Sequence, residues 1–125
     1  MSMIKSILIV GAGSFLGGVA RYAVSLMMKN QGKGFPWATL TANLIGCFLI
    51  GILWGSFSRS SNDGSDLALF MTVGFCGGFT TFSTFCKESL MMLQTGNLWS
   101  FAAYVALSII AGTSLVALGA WLVRG

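Results

Sequence analysis

Leu98 to Val123 reads LWSFAAYVALSIIAGTSLVALGAWLV, without one charged side chain. As a helix this run extends about 39 Å at 1.5 Å per residue, more than the roughly 30 Å of hydrocarbon in a bilayer. Three more apolar runs precede it, at residues 3–28, 37–57 and 67–93. Each holds about 20 residues or more, the length that crosses a membrane as a helix. None shows the polar face of a soluble amphipathic helix. The links are short and polar: Lys29 to Gly34, Ser58 to Asp66 (SRSSNDGSD) and Gln94 to Asn97. Short links predict consecutive helices as antiparallel neighbours. Pro36 is expected in the first turn of the second helix, where proline is tolerated, and Asp66 as the N-cap of the third. The fold class read here is an all-α membrane protein: one domain over residues 1–125 with four transmembrane helices and both termini on the same side.

Composition agrees with that reading. Of 125 residues, 55% are hydrophobic and 8% charged, against about 25% charged in an average soluble domain. A soluble enzyme domain is excluded, and so is disorder, which needs low hydrophobicity and high charge. The first run is too long for a signal-peptide core. The net charge of +4 does not point to nucleic acid, because the seven cations are scattered beside apolar runs rather than gathered on one face. The absence of histidine removes the commonest general base and metal ligand. Cys47, Cys76 and Cys86 lie in apolar stretches and read as small buried packing residues. Cys76 and Cys86 would sit roughly 15 Å apart on a helix, beyond disulfide reach.

The cations also bear on orientation. Lys5, Arg59 and Arg124 fall on one membrane face; Lys29 and Lys33 fall on the other, with Lys87 near it. Membrane proteins are oriented by an excess of Lys/Arg on the cytoplasmic side. A near-tie fits either a weak signal in a small protein or a chain that inserts both ways and pairs with an inverted copy of itself.

Polar residues inside the spans carry the remaining information. Gly11-Ala-Gly13-Ser-Phe-Leu-Gly17-Gly18 resembles a dinucleotide fingerprint, but no acid precedes Asp63 to hold a ribose; Gly13 and Gly17 instead form a small-xxx-small pair for close helix packing. Arg21 lies about 10 Å from the end of the first span, either snorkelling to headgroups or lining an aqueous vestibule. Asn43, a third of the way into the second span, is either glue between helices or a donor to a permeating anion. In the third span, Gly77-Gly78 is the expected helix break. Thr81, Thr84 and Glu88 share one helical face beyond it, and Phe82 and Phe85 an adjacent one. The two rings either pack in the core or turn their positive edges to an anion path. Glu88, beside Lys87, is expected near the membrane interface. In the fourth span Tyr104 and Ser108 are one turn apart, and the Tyr104 hydroxyl needs a partner in protein or ligand.

No nucleophile–base pair, metal set or phosphate loop is present, so the chemistry left is that of permeation. Four spans leave little room for a path inside one chain, which requires a partner subunit. Gly17-Gly-Val-Ala-Arg21-Tyr22, Thr39-Leu-Thr-Ala-Asn43-Leu-Ile-Gly46 and above all Gly74-Phe-Cys-Gly-Gly-Phe-Thr-Thr-Phe-Ser-Thr-Phe85 with Glu88 resemble the Fluc family of bacterial fluoride channels, also called CrcB-like proteins. The resemblance spans essentially the whole chain. It implies a multi-pass protein of the bacterial inner membrane, an antiparallel dual-topology homodimer that passively exports fluoride through two pores. It implies pore contacts at Asn43, Phe82, Ser83, Thr84, Phe85, Tyr104 and Ser108, a polar track with Thr81 and Glu88, and Arg21 in a vestibule. It further implies a structural sodium ion at the dimer interface, on the backbone carbonyls of Gly77 and Thr80. The chain departs from many members in having Gly112 in place of a small hydroxyl residue, with Thr113 a possible substitute. The alternative reading is a small four-helix dual-topology multidrug-type exporter, but such proton-coupled exporters need a carboxylate deep in the first span and this one has none.

The near-tie in cations predicts both orientations in one membrane. Adding about two or three Lys to the Ser58–Asp66 linker should fix one orientation and abolish function, with rescue by an oppositely biased copy. Cysteine-accessibility labelling that finds a single native orientation would refute this.

Overall fold

The computed structural model describes residues 2–29, 35–61 and 64–123. Lys33 and Arg124, two cations of the orientation argument, and the middle of the 58–66 linker lie outside the described residues. Among those described, every regular element is helical: α1 (Met3–Met27), α2 (Trp37–Arg59), α3 (Asp66–Leu69), a π-helical segment (Phe70–Cys76), α4 (Gly77–Phe79), α5 (Phe82–Gln94) and α6 (Leu98–Leu122). Four stretches are long and apolar enough to cross a membrane: α1, α2, the composite third span Asp66–Gln94, and α6.

Helix starts follow local capping chemistry, with two corrections to expectation. Ser2 caps α1, its hydroxyl accepting from the Lys5 N–H at 3.4 Å. Pro36 is not in the first turn of α2 but at the N-cap, where its carbonyl accepts from the Leu40 N–H at 3.1 Å. Ser65 rather than Asp66 caps the third span: its backbone is extended and its hydroxyl accepts from the Ala68 N–H at 3.1 Å. Asp66 is instead the first helical residue, where a carboxylate favours the helix dipole and meets Lys5 Nζ at 2.9 Å. This ion pair is half exposed, so it contributes little stability. At the other end of the third span, Gly96 at φ +76° lets the chain reverse, with Asn97 N–H donating to the Met92 carbonyl at 2.9 Å.

Packing follows glycines more than chain order. The most extensive contacts join α2 to α6, and α1 to the π-helical segment and α4; the consecutive pair α1 and α2 touch little. Short links permit neighbours, but close backbone approach decides which faces meet. A Cβ at Gly13 would lie 2.9 Å from Gly74 Cα, one at Gly17 2.8 Å from Phe79 N, and one at Gly78 2.6 Å from the Ser14 carbonyl oxygen. Ser14 Oγ donates to the Gly74 carbonyl across this seam at 3.3 Å.

Gly78 is helical and lies against α1, and Gly77 is helical too, at φ −62°, ψ −37°. The expected interruption at Gly77-Gly78 falls three residues later. Regular helix stops at Phe79 and resumes at Phe82, with Thr80 (φ −89°, ψ 158°) and Thr81 (φ −148°, ψ 120°) extended between.

The interior is small: Leu40, Met92 and the fully buried Tyr104 form its centre, with Phe35, Leu44, Phe85 and Phe101 packed around them. Large apolar side chains such as Phe15, Tyr22, Trp99 and Trp121 stay exposed, as faces turned to lipid require.

The seam predicts a contrast between two glycines of one helix. Gly17→Ala should destabilise by about 1–3 kcal/mol, because the new methyl meets helix backbone. Gly11→Ala, with no atom within 4 Å, should be neutral or gain up to about 1 kcal/mol from helix propensity. Denaturant unfolding in detergent, followed by tryptophan fluorescence, measures both.

Candidate functional site

The Thr80–Thr81 interruption strips the four backbone carbonyls from Gly77 to Thr80 of their helical donors. In a continuous α-helix the Thr81 N–H would serve the Gly77 carbonyl. Here it donates to Asn43 Oδ1 at 2.8 Å, while Asn43 Nδ2 donates back to the Thr81 carbonyl at 3.1 Å. The Thr84 N–H, which would serve the Thr80 carbonyl, donates instead to Thr81 Oγ1 at 3.2 Å; that hydroxyl in turn donates to Thr84 Oγ1 at 3.1 Å. Thr80 folds its own side chain back, Oγ1 donating to the Cys76 carbonyl at 2.9 Å. Gly46 on α2 leaves space for the Thr80 methyl group, which a Cβ there would strike. An amide in hydrocarbon must be satisfied. Asn43 satisfies itself by pairing with the N–H and the carbonyl of Thr81, and keeps one amide hydrogen uncommitted.

Beside the interruption lies an open cavity of about 430 Å³. Asn43, Gly77, Thr80, Thr81, Phe82, Phe85 and Ser108 all line it. The Phe82 and Phe85 rings are tilted at 37° with centroids 5.9 Å apart. Phe82 is 76% exposed, so it is not a core residue of this chain. Phe85 leans inward on Tyr104, centroids 5.0 Å apart. Ser108 Oγ is buried with no hydrogen-bond partner.

A second polar group sits nearer the membrane face. Glu88 turns inward, and both carboxylate oxygens are used: Oε2 accepts from Thr39 Oγ1 at 3.1 Å and Oε1 from the Tyr104 hydroxyl at 2.9 Å. One acid thus joins α2, α5 and α6. The Tyr104 hydroxyl finds its partner in protein, and its side chain is fully buried. Ser83 is exposed and Thr84 half-buried; neither lines the cavity described above. Arg21 is half-buried on α1 with its Nε unpartnered, and it does not line the cavity either.

Some of this was not read from the sequence. Thr39 was not singled out as a partner of Glu88, because the two are far apart in the chain and nothing local joins them. The rule that a carboxylate in a membrane must be paired was the one available signal. Cys47, Thr72 and Cys76 also line the cavity. Cys76 is buried and Cys47 half-buried, but Cys86 is exposed, contrary to its expected burial.

Comparison with known proteins shows which sequences this chain is similar to. The family model described as "CrcB-like protein, Camphor Resistance (CrcB)" matches residues 8–120. A "Fluoride-specific ion channel FluC" of Phocaeicola vulgatus is 42% identical over 119 residues, covering 94% of this chain and 98% of that protein. A protein of the same description from Leptospira interrogans is 38% identical over 125 residues, covering 99% and 98%. Another from Chlorobium luteolum is 42% identical over 121 residues, covering 93% and 94%.

The amide pairing has a direct consequence. Asn43→Ala orphans the N–H and the carbonyl of Thr81, at about 1–3 kcal/mol for each buried group left unpaired. A loss of roughly 2 kcal/mol or more is expected. Unfolding that matches the native chain within error would show that the pairing carries no stability.

Proposed function

We infer that this chain, which belongs to the CrcB-like protein family, is a fluoride-specific ion channel of the bacterial inner membrane and not an enzyme. The observation that carries the reading is full-length similarity to fluoride channels at about 40% identity, joined to four membrane-spanning stretches. The substrate is a small, strongly hydrated anion. A path for it must replace water with several weak donors and must not trap the ion on a fixed cation.

The finer reading is an antiparallel, dual-topology homodimer with two pores and passive, outward fluoride flow. Its support is physical. The cavity beside the interruption is open on one side of a chain whose interior is too small to hold a path, so a second copy is the natural wall. Asn43 offers its free amide hydrogen there, Phe82 and Phe85 their ring edges, and Ser108 an unpartnered hydroxyl. Thr81 lines the cavity too, and Ser83, Thr84 and the Glu88–Tyr104 pair extend the polar route away from it. Arg21 stands apart from it, as a vestibule residue would.

A structural sodium ion on the Gly77 and Thr80 carbonyls belongs to the same proposal. Of the four carbonyls that the interruption leaves without helical donors, these two belong to residues that line the cavity; their donors are diverted to Asn43 and to the Thr81 hydroxyl. Freed carbonyls at membrane depth suit a hard monovalent cation. When bound, sodium supplies positive charge that satisfies them. The chain's own part is to hold Thr80 and Thr81 extended so that the carbonyls stay free.

Reconstituted protein in liposomes should release fluoride to an ion-selective electrode and retain chloride; equal release of both ions would overturn the reading. Phe82→Ile or Phe85→Ile preserves apolar bulk, at a cost usually under about 1.5 kcal/mol. At least one should abolish most of the flux in protein that still folds; full flux in both would return the rings to packing. Replacing sodium with a bulky organic cation throughout purification should weaken the dimer or the flux, and unchanged behaviour would remove the ion.

A further inference from the structure

Two cysteines on different elements open on one cavity. Cys47 comes from α2 and Cys76 from the end of the π-helical segment, and both line the space shared by Asn43, Phe82 and Ser108. Both are free thiols. Cys47 Sγ faces α6 at Gly112, where an added Cβ would lie 3.2 Å from it. Ser108, one turn earlier on the same face of α6, points a buried, unpartnered oxygen into this region. The cavity therefore brings together two soft sulfur donors and an unsatisfied hydroxyl.

We propose that Cys47 and Cys76 form a binding site for a soft, two-coordinate divalent metal cation of the mercuric type, and that metal bound there blocks the ion path. Thiolate ligands select soft metals. No group of three or more His, Cys, Asp or Glu able to hold a metal occurs among the described residues, so metals that demand four such ligands are not served. A divalent ion with two thiolates is electrically neutral, and a neutral complex can be buried among apolar side chains where a net charge could not. Each thiol releases its proton to the buffer as its sulfur–metal bond forms. No oxidant is consumed, and the metal keeps its oxidation state. The bound ion takes up cavity volume beside Asn43, Phe82 and Phe85. The block of flux rests on the channel reading above; the metal site itself does not.

The experiment titrates the full-length protein in lipid vesicles with mercuric chloride, reading the sulfur–mercury charge-transfer absorbance and fluoride efflux together. One equivalent per chain should bind and stop efflux. Cys86→Ser should behave as the native chain. Cys47→Ser and Cys76→Ala, the latter chosen so that no new hydroxyl is buried, should each weaken binding and inhibition by at least about tenfold, the loss that follows even an outer-shell change at a metal site. Retention of full affinity in both variants, or its loss in Cys86→Ser, would overturn the proposal. Absorbance that titrates in the native chain and is weakened by either substitution, in protein that never conducts fluoride, would uphold the metal site and overturn the channel reading instead.

Discussion

Asn43 and the backbone of Thr81 exchange two hydrogen bonds in the middle of the fold, and much else follows from that exchange. A membrane offers backbone groups no water, so a chain that leaves the helix there must find every donor and acceptor a partner inside the protein. The side-chain amide has the same donor–acceptor pair as a peptide group and can stand in for the missing turn. Once Asn43 takes the Thr81 N–H, Gly77 loses its donor. Once Thr81 caps α5 through its hydroxyl, Thr80 loses its own. Two extended residues thus leave the Gly77 and Thr80 carbonyls among those without helical donors, an exposed Phe82 at the restart of the helix, and a cavity against α2 and α6.

Glu88 solves a related problem by different means. An isolated carboxylate at this depth would be costly, and two hydroxyl donors offset part of that cost. The same bonds hold α5 against both α2 and α6, so the polar chemistry of Glu88 also sets the spacing of these helices. Tyr104 serves both ends of this arrangement: its ring supports Phe85 and its hydroxyl serves Glu88. Changing any one of the three alters packing and polarity together.

Close backbone approach explains why so little side-chain bulk is buried. Gly13 on Gly74, Gly17 on Phe79 and Gly78 on Ser14 bring α1 against the third span at distances no other residue allows. Lipid tails are as apolar as leucine, so association in the bilayer depends on such contact and on interhelical hydrogen bonds rather than on removal of apolar surface from water. The Ser14 hydroxyl on the Gly74 carbonyl is a bond of that kind.

Hydrophobic length is a sum over neighbouring residues, so the four spans, their approximate ends and the membrane setting were legible in the sequence. So was the block from Gly74 to Phe85 that marks the family. Capping was half legible: Ser65 and Asp66 are adjacent, and only the backbone angles decide which of them caps. The site of the interruption was not legible. Two glycines in a row read as a break when considered alone, but α1 needs Gly78 smooth for contact, and the amide that releases the helix sits on α2, far away in sequence. The same limit hid the bond between Thr39 and Glu88, the burial of Tyr104 and the common cavity of Cys47 and Cys76. Each of these depends on which helices become neighbours, and in a bilayer that choice is made by backbone contact and hydrogen-bond pairing between segments, which no single segment encodes.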